Sequence, residues 1–577
     1  MVRRGGRGAE VAGACVAAAL VWGTARAAET GVGGRVFLDA NRNGRAEPGE
    51  PGVAGVAVSD GAQVAVTDTA GAYRLARRPE APTPVWICVP RDHAASGPFW
   101  KAAGAEGDVD FGLTPQAQEE DFTFIQITDT HIGRADLLQR FAEQTGTYPV
   151  RIAFAVNTGD LVGGVDVVPP EKARSQYERY MEAARFPMPL FNLPGNHEHV
   201  GFNHKGADPK HPYYGKGLYP RLLGPMHYSW DWAGVHCVAL DGTSLPYQER
   251  LGSNQLAWLE ADLALQPAGR PLVLFCHQSI PSLRDAKLLA ELLQGRNVLG
   301  AFCGHLHRTF TATFAGFPVY HSGALSGAWW GGPNIDGTPQ GFRLARFRDG
   351  RLKTVYTNRE GTYPVSIVAP LADTVQTGAV QVTVSVTDFG RPAEVDANYC
   401  GQTVTLRPAS REEHWSFWTG TLDTRAALDG DRTLTVTATC ERAASAFAIR
   451  YLVDNGSPEA YTARGPVTFR LQVRGGIDAP GEVRVNGGPL GEIPQGATNE
   501  TVLAFAILPE RLRKCNRVTV RAGRHGQGWD RFSIGPAWIE YQGKRIHDLR
   551  YASFERHGVG GSRPADQREK ILYYCLP

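Results

Sequence analysis

Hydrophobic and polar positions change their period several times along the chain, and these changes predict its domains. In residues 29–115 and 360–577, short runs alternate apolar and polar residues between turns rich in Gly, Asp and Pro. A period of two is typical of strands that are buried on one face. Residues 121–350 instead contain continuous apolar runs that alternate with stretches of helical spacing. The pattern predicts a central α/β domain flanked by β domains.

Four stretches of the central segment are predicted to be helical: residues 136–145, 170–184, 254–265 and 283–294. In the third, Leu256, Leu259 and Leu263 follow the spacing of one helix face, and Ser253 is the predicted N-cap. Strands that alternate with such helices indicate a layered α/β domain.

The apolar runs of the central segment are followed by side chains that bind metal ions. The runs are FTFIQIT, IAFAVNT, PLFNLP, PLVLFC and NVLGAFC. The metal-binding types that follow them are Asp129, His131, Asp160, Asn196, His277, His305 and His307. Loops at the carboxyl edge of a sheet commonly carry functional residues. We therefore expect these side chains to meet at one edge.

The donor atoms of this set indicate the chemistry. Carboxylate, amide and imidazole groups without thiolate suit Mn, Fe, Co or Zn. Seven protein ligands exceed the need of one ion, so two divalent cations that share a bridging carboxylate fit better. The two ions of such a pair lie roughly 3.5–4 Å apart. Together they stabilise both the attacking and the leaving oxygen of an in-line displacement. A phosphoryl group is the natural electrophile.

The blocks D-x-H, G-D, G-N-H-E, H and G-H-x-H occur in this order between residues 121 and 325 and resemble the calcineurin-like metallophosphoesterases. The resemblance implies a two-sheet sandwich flanked by helices. It implies one metal bound by Asp129, His131, Asp160 and His307, and a second bound by Asp160, Asn196, His277 and His305, with Asp160 as the bridge. His197 would contact the phosphate and protonate the leaving oxygen, and Glu198 or a neighbouring carboxylate would hold its ring.

Two loops of the central segment are expected to shape a substrate pocket. Residues 199–228 form a long connection rich in His, Lys, Tyr, Gly and Pro. Residues 326–340 resemble a stretch of secreted bacterial members of this superfamily. There, Trp329 or Trp330 would stack on a leaving group, or would pack the rim of the fold. Asp336 would fix the loop or bind a substrate hydroxyl.

The segment 29–115 resembles a prealbumin-like or Cna-B-like sandwich. Asp39, Asn41, Asn43 and Glu50 have the oxygen spacing of a structural Ca²⁺ loop. The alternative is a polar turn held by side-chain hydrogen bonds.

Two further β domains are predicted at residues 360–455 and 465–577. The first resembles an immunoglobulin- or fibronectin-like sandwich, and the second resembles jelly-roll modules of the galactose-binding type. Neither carries a catalytic constellation of its own. They are accessory domains that dock to cell-surface glycan or shield the face of the site.

The first 27 residues have the pattern of a secretory signal peptide. A basic start is followed by an apolar run of 13 residues and an A-x-A site. We therefore expect an exported bacterial protein, periplasmic or extracellular, with no transmembrane segment in the mature chain. Removing these residues takes away four Arg and one Glu, which leaves 56 basic and 57 acidic residues. A balanced charge gives no field that would favour nucleic acid.

Eight of the nine cysteines would remain in the mature chain. Cys237, Cys276 and Cys303 end apolar runs and are interpreted as small core residues. Cys400 with Cys440, and Cys515 with Cys575, are candidate disulfides, because each pair falls within one predicted β domain.

Three functions stay open from the sequence. The first is a secreted metal-dependent phosphoesterase that acts on a phosphodiester or a phosphomonoester. The second is a cell-surface or glycan-binding protein with a vestigial catalytic domain, which the complete ligand set disfavours. The third is a nuclease, which the balanced charge disfavours.

Overall fold

The computed structural model describes most of the chain after residue 30, and the predicted signal peptide lies outside the described residues. The described residues are 31–76, 84–102, 108–132, 135–244, 248–372, 374–391, 393–441, 443–456, 461–474, 476–497, 501–525, 528–548, 557–560 and 569–577. They contain many β-sheets and few helices, and none of the described helices is long and apolar enough to cross a membrane.

The first segment contains eight short strands. They are β1 Gly31–Leu38, β2 Ala57–Ser59, β3 Val64–Val66, β4 Ala72–Ala76, β5 Pro84–Ile87, β6 His93–Ala95, β7 Trp100–Ala102 and β8 Phe111–Pro115. They form two four-stranded sheets, in the orders β4-β1-β8-β6 and β3-β2-β5-β7. The two sheets enclose a small apolar core that includes Val36, Val58 and Phe111.

The candidate calcium loop has the geometry of a polar turn. Asp39 accepts hydrogen bonds from the backbone N–H groups of Asn43 and Gly44 at 3.1 and 2.7 Å. The carboxylate of Glu50 accepts from the N–H groups of Ala40 and Glu47, both at 3.0 Å. These oxygens satisfy the backbone of the loop, so nothing in this geometry supports calcium.

The central segment contains thirteen strands and five helices. The strands are β9 Phe122–Ile127, β10 Ile152–Asn157, β11 Leu190–Asn192, β12 Tyr228–Trp232, β13 Val235–Leu240, β14 Thr243–Ser244, β15 Gln248–Glu249, β16 Pro271–Cys276, β17 Asn297–Cys303, β18 Phe310–Phe314, β19 Phe317–His321, β20 Gly341–Arg348 and β21 Arg351–Asn358. The helices are α1 Ala135–Thr145, α2 Pro170–Ala183, α3 Tyr219–Leu222, α4 Ser253–Ala264 and α5 Ala286–Leu292.

The helices differ from the prediction at three points, one of which is the short helix α3 within the predicted connection 199–228. Ser253 is the first helical residue of α4 rather than its N-cap; Gly252 occupies the cap position with φ 82° and without a side-chain bond. α5 covers seven residues where twelve were expected, because Ile280–Ser282 forms a separate 3-10 turn before it. Leu256, Leu259 and Leu263 are buried, as their spacing predicts.

The two large sheets of the central segment meet through aromatic rings. Their strand orders are β11-β10-β9-β20-β21 and β12-β13-β16-β17-β19-β18. Phe124 of β9 lies 5.9 Å from Phe275 of β16 and 5.4 Å from Phe302 of β17, between ring centroids. These buried residues belong to one apolar core with Phe154 and Trp230. The contact therefore fixes the two sheets relative to each other.

Strand direction decides where the loops of the central segment lie. β9, β10 and β11 are parallel to one another, and β13, β16, β17 and β19 are also parallel. Parallel strands place their carboxyl ends at one edge of a sheet. Every predicted ligand follows one of β9, β10, β11, β16 and β17, so the topology collects all of them at these edges.

The third segment contains nine strands. They are β22 Val365–Ala369, β23 Val375–Gln376, β24 Ala379–Val386, β25 Ala393–Tyr399, β26 Gln402–Thr405, β27 Arg407–Arg411, β28 Ser416–Asp423, β29 Gly430–Cys440 and β30 Ala443–Val453. They form two sheets, in the orders β22-β24-β28-β27 and β23-β30-β29-β25-β26. Their apolar core is continuous with the core beneath α1 and α2, so the third segment supports the central one.

The described residues of the fourth segment contain eleven strands. They are β31 Val467–Arg474, β32 Gly481–Val485, β33 Gly488–Ile493, β34 Val502–Ile507, β35 Cys515–Arg521, β36 Arg524–His525, β37 Gly528–Trp529, β38 Arg531–Tyr541, β39 Lys544–His547, β40 His557–Gly560 and β41 Glu569–Cys575. Its main sheets have the orders β34-β31-β38-β39, with β40 beside β38, and β33-β32-β35-β41. The division of the chain at the predicted domain boundaries stays a prediction.

One of the two candidate disulfides is present. Cys515 and Cys575 face each other in the antiparallel register of β35 and β41 and are bonded. Cys400 is exposed and Cys440 is buried, and the two are not joined. The prediction of a Cys400–Cys440 bond is therefore wrong. Cys237, Cys276 and Cys303 are buried and unbonded, as expected for core residues.

Candidate metal centre

Asp129 follows β9 and presents one of its two oxygens to the site. Its Oδ2 accepts hydrogen bonds from the Thr128 hydroxyl at 2.8 Å and from the backbone N–H of His305 at 3.0 Å. Its buried Oδ1 has no well-aligned donor among the described residues, and it lies 3.1 Å from Nε2 of His307 and 3.7 Å from Nε2 of His131. An unsatisfied buried carboxylate oxygen is costly and requires an explanation.

Asp160 follows β10, and as in Asp129 one carboxylate oxygen is held by the backbone while the other faces the site. Its Oδ1 accepts a hydrogen bond from the backbone N–H of His197 at 2.8 Å. Its Oδ2 lies 3.1 Å from Nε2 of His277 and 3.9 Å from Nε2 of His131. One oxygen therefore faces imidazoles that come from both large sheets.

The ring of His277 is oriented by a contact behind it. Its Nδ1 lies 2.9 Å from the backbone carbonyl of Thr158, so Nδ1 carries the proton and donates it to that oxygen. In a neutral ring this leaves the lone pair of Nε2 directed into the site. Nε2 lies 3.2 Å from Oδ1 of Asn196, which is itself an acceptor. The two acceptor atoms, Nε2 of His277 and Oδ1 of Asn196, cannot hydrogen-bond to each other without a proton between them. Both could bind the same cation.

Among the described residues, three overlapping groups of three side chains at this centre bring their ligand atoms within 4.8 Å of one another. They are Asp129 with His131 and His307, Asp160 with His277 and His305, and His131 with Asp160 and His197. Within the first, Nε2 of His131 and Nε2 of His307 are 3.3 Å apart. The seven candidate ligands thus lie close together after their strands, and their division between two cations stays a prediction. Their carboxylate, amide and imidazole donors, with an orphaned carboxylate oxygen among them, fit divalent Mn, Fe, Co or Zn.

The surrounding imidazoles keep both carboxyl groups ionised. Burial favours the neutral acid, but His307 and His277, when protonated, lower the pKa of Asp129 below its usual range. The pKa of Asp160 is lowered in the same way, against its burial, by His277 above all. Ionised carboxylates are the form that a metal ligand requires.

Comparison with known proteins identifies this arrangement. Residues 122–309 match the family described as Calcineurin-like phosphoesterase. The chain therefore carries a calcineurin-like phosphoesterase domain. The resemblance inferred from the sequence blocks is confirmed for this part of the chain.

Two curated relatives are named as phosphodiesterases. The chain is 28% identical over 224 residues to a cAMP/cGMP dual specificity phosphodiesterase of Mycobacterium tuberculosis. This match covers 34% of this chain and 66% of the relative. It is 33% identical over 106 residues to a probable cyclic nucleotide phosphodiesterase of Rhodococcus erythropolis, which covers 16% of this chain and 35% of the relative. The chain thus spans just under two thirds of the first relative and about one third of the second. The family and these names support a metal-dependent phosphoric ester hydrolase.

Among solved structures, the chain is similar to GAP50, described as the anchor in the inner membrane complex of Plasmodium. The identity is 14%, the TM-score is 0.30, and the match covers 42% of this chain and 86% of the other.

The phosphoesterase domain holds its candidate ligands on left-handed backbone. The φ angles are 52° at Asp129, 41° at His131, 52° at Asp160, 68° at His305 and 48° at His307. Residues other than Gly rarely adopt positive φ. Such positions cost of order 1–3 kcal/mol each and persist only where the surrounding structure imposes them. The strain turns each ligand back towards the centre directly after its strand.

Glycines precede the ligands because any side chain would enter the site. A Cβ at Gly195 would collide with Oδ1 of Asp160 and would lie 2.8 Å from the ring of His277. A Cβ at Gly304 would collide with the Thr128 hydroxyl and lie 2.7 Å from Oδ2 of Asp129. The Gly residues of the G-N-H-E and G-H-x-H blocks are therefore steric requirements of the ligand geometry.

Glu198 does not hold the ring of His197. Its buried carboxylate accepts the backbone N–H groups of Asp160, Leu161, Val162 and Gly195, at distances of 2.5–3.2 Å. It ties the loop after β10 to the loop after β11. The carboxylate beside the His197 ring is instead Asp166, whose Oδ1 lies 3.8 Å from Nδ1.

Asp166 and Glu249 are site residues that the sequence analysis missed. Oδ2 of Asp166 accepts a hydrogen bond from the Asn203 side chain at 2.8 Å, which fixes the carboxylate beside His197. Oε1 of Glu249, on β15, lies 3.6 Å from Nε2 of His305. Neither belongs to a recognised block of residues, and only the folding of separate loops brings them to the centre.

The three residues predicted to line the substrate pocket are Trp329, Trp330 and Asp336, and the structure places Trp330 and Asp336 differently. Trp330 is 44% exposed, and its ring lies 5.2 Å from that of His131 and 6.2 Å from that of His197, nearly perpendicular to both. The side chain of Trp329 lies outside what the structure describes. Asp336 accepts the backbone N–H of Thr309 at 2.7 Å and the Thr338 hydroxyl at 2.7 Å, which is the loop-fixing alternative.

We predict that Gly195→Ala disrupts the centre without disturbing the fold elsewhere. The backbone at Gly195, with φ −110° and ψ −161°, accommodates Ala, so the damage comes only from the collision with Asp160 and His277. Overpacking of this kind costs about 1–3 kcal/mol, which corresponds to a loss of metal affinity of roughly 5- to 150-fold.

Metal content and phosphoesterase activity measure the effect. Gly269→Ala is the matched control, because a Cβ there meets open space in the same domain. A Gly195→Ala protein with wild-type metal content and activity would contradict the steric argument.

Proposed function

We propose that this chain is an exported, dinuclear metal-dependent phosphoesterase, with phosphodiesters as its first substrate class. The observation that carries the proposal is the position of Asp160 Oδ2. It lies 3.1 Å from His277 Nε2 and 3.9 Å from His131 Nε2, while Oδ1 is engaged with the backbone of His197. A buried carboxylate oxygen between two sets of imidazoles suits a bridging ligand.

Asp129, His131, Asp160 and His307 would hold one cation, and Asp160, Asn196, His277 and His305 the other. Two divalent cations bound there would lower the pKa of bound water and neutralise charge on a phosphoryl group. The donor set allows Mn, Fe, Co or Zn and does not choose among them.

His197 is the proposed proton donor to the leaving oxygen. Its backbone N–H is fixed by Asp160, and its side chain keeps 25% exposure at the mouth of the centre. Asp166 lies beside Nδ1 and would stabilise the doubly protonated ring, whose Nε2–H would face the ester oxygen. In hydrolysis the P–O bond to the leaving group would break, a P–O bond to the water oxygen would form, the leaving oxygen would take the proton of His197 Nε2, and the proton lost by the water would restore the ring.

The preference for phosphodiesters rests on the names of the relatives. Both curated relatives are named as phosphodiesterases. A phosphomonoester substrate stays the alternative. The vestigial alternative receives no support from the described geometry, because all seven candidate ligands lie together. The nuclease alternative would use the same centre and is disfavoured only by the balanced charge.

Export is proposed from the signal pattern and is supported by the Cys515–Cys575 bond, since disulfides persist in oxidising compartments. The C-terminal β segments are proposed as accessory units for glycan docking or for shielding the site, and no contact among the described residues decides between these roles.

We predict that the purified protein hydrolyses bis-p-nitrophenyl phosphate when Mn²⁺, Fe²⁺ or Zn²⁺ is supplied, and that a chelator abolishes the activity. A panel of mono- and bis-p-nitrophenyl phosphates, cyclic nucleotides and glycerophosphodiesters measures the preference. Absence of hydrolysis across this panel, in protein that retains bound metal, would sink the proposed function.

We predict that Asp160→Asn depletes the metal. The amide keeps an acceptor for the His197 N–H but loses the negative charge that would join two cations, so the metal content should fall from two ions per chain to one or fewer. Elemental analysis measures this content.

Asp349→Asn is the matched control. The φ angle at Asp349 is 49°, close to the 52° at Asp160, but the side chain of Asp349 is 84% exposed. Full occupancy in Asp160→Asn would rule out the bridging role.

We predict that His197→Ala and Asp166→Asn slow esters with alkyl leaving groups far more than p-nitrophenyl esters. A poor leaving group needs protonation, which contributes roughly 10²–10⁴-fold, whereas p-nitrophenolate departs without it. The separate values of kcat and KM for matched alkyl and aryl esters report the effect. Equal losses on both ester types would argue against proton donation.

A further inference from the structure

A second group of metal-binding side chains lies where the first segment contacts the central one. Cys88 follows β5, Asp231 is on β12, and His236 is near the start of β13. One ligand atom from each of these side chains lies within 4.8 Å of the other two. We call these three residues the junction cluster. The candidate metal centre follows the opposite, carboxyl ends of β16 and β17, so the junction cluster is separate from it.

The thiol of Cys88 faces charged groups rather than an apolar core. Cys88 is only 7% exposed, and its Sγ lies 4.0 Å from Oδ1 of Asp231. Cys237, Cys276 and Cys303, by contrast, belong to the apolar core of the central segment, where a free Cys acts as a small hydrophobe. A buried thiol directed at a carboxylate has a different environment. Thiolate, carboxylate and imidazole together are the ligand types that zinc uses in proteins.

The far side of the His236 ring is held in the way that metal-binding histidines are held. Its Nε2 lies 2.8 Å from Oδ2 of Asp262, on α4. Oδ1 of Asp262 accepts a hydrogen bond from the Ser229 hydroxyl at 2.8 Å. A carboxylate that accepts the distal N–H of a ligating histidine fixes the tautomer and the orientation of the ring. Nδ1, which lies 2.7 Å from Oδ1 of Asp231, is then the nitrogen that faces the cluster.

A divalent cation also fits the charge of the junction cluster. Without a cation, a doubly protonated His236 and the guanidinium of Arg270, 3.1 Å from Asp231, balance the carboxylates of Asp231 and Asp262. A divalent ion that displaces one proton from Nδ1 of His236 and one from the thiol of Cys88 leaves the same net charge. Metal binding to such ligands ordinarily releases these protons. The exchange therefore needs no further countercharge.

Small shifts of the side chains would complete the geometry. A tetrahedral ion with ordinary bond lengths holds S and O about 3.6 Å apart, and N and O about 3.4 Å apart. Sγ of Cys88 would therefore approach Oδ1 of Asp231 by about 0.4 Å, and Nδ1 of His236 would withdraw from that oxygen by about 0.7 Å. The side chain of Asp231 is 14% exposed, which leaves access for a water molecule as the fourth ligand.

We propose that Cys88, Asp231 and His236 bind one divalent cation, Zn²⁺ in the first place, with Asp262 as the positioning residue of the imidazole. The ion would join the first segment to the phosphoesterase domain, since Cys88 belongs to the former and the other two ligands to the latter. The backbone makes the same connection, because the N–H of Asp231 donates to the carbonyl of Val89 at 2.9 Å. Thiolate favours Zn²⁺ over Mn²⁺, so this site differs from the candidate centre in its preference.

Cobalt titration tests the proposal, because a thiolate bound to Co²⁺ gives a charge-transfer band in the near ultraviolet. The seven candidate ligands of the other centre include no thiolate, so Co²⁺ bound there gives no such band. The full chain, supplied with Mn²⁺, is titrated with Co²⁺. We expect the band to appear and to saturate with the intensity of one cobalt–thiolate bond per chain. An excess of Zn²⁺ should then remove it.

Substitutions of cysteine assign the band to the junction cluster. Cys88→Ala should abolish the band and lower the zinc content by one ion per chain, as measured by elemental analysis. Cys237→Ala is the matched control, because Cys237 is a buried thiol that follows His236 in β13 and points to the opposite face of the strand. Cys400→Ala controls for adventitious binding, because Cys400 is exposed and unbonded. Both controls should keep the band.

Asp262→Asn tests the site with all three ligands in place. Loss of the carboxylate behind a ligating histidine costs roughly 10- to 100-fold in metal affinity, so the Co²⁺ titration should shift by that factor. Circular dichroism establishes the folding of each variant. If Cys88→Ala does not fold, the wild-type band and its shift in Asp262→Asn decide.

Absence of the thiolate band in the wild type would overturn the inference and would leave His236 as a protonated bridge between two carboxylates. A band that survives in folded Cys88→Ala, or that is lost in Cys400→Ala, would also overturn it, and so would wild-type Co²⁺ affinity in Asp262→Asn. None of these measurements uses phosphoester hydrolysis. The inference therefore stands or fails independently of the proposed function.

Discussion

The carboxylate of Asp160 joins the two halves of the centre, and much of the surrounding structure serves its orientation. One oxygen is held by the backbone N–H of His197, and the other lies 3.1 Å from His277 Nε2. Glu198 accepts four backbone N–H groups from the two adjoining loops, and Gly195 leaves the space that the carboxylate fills. Two buried carboxylates among imidazoles, without the cations they suit, would be expensive. The arrangement therefore makes physical sense as a metal centre.

The layered architecture explains why this centre can exist. The aromatic core between the two large sheets fixes their relative position, and parallel strands in each sheet deliver their following loops to the same edge. The left-handed turns at Asp129, Asp160 and the two histidines after β17 are strained, and packing elsewhere must compensate for them. The continuous core shared with the third segment contributes to this compensation.

Prediction from sequence succeeded where chemistry is local and failed where it depends on neighbours in space. The seven ligands were identifiable, because each follows an apolar strand and has a metal-binding side chain. Of the two alternatives for the carboxylate beside the His197 ring, Glu198 or a neighbouring residue, only the fold could decide, because the place of Glu198 in the G-N-H-E block does not show which way its carboxylate turns. Asp166 and Glu249 gave no signal, since they belong to loops that meet the centre only after folding. The Cys400–Cys440 pairing was wrong for the same reason: two cysteines in one β segment need not face each other.

The order and types of the residues alone determined the α/β character of the central segment, its flanking strands and the identity of the candidate metal ligands, because these follow from periodicity and donor chemistry. The tertiary structure alone decided which oxygen of each aspartate faces the centre and which carboxylate accompanies His197. These features depend on distances between loops far apart in the chain. No local pattern encodes such distances, because they are set by the packing of one sheet on the other.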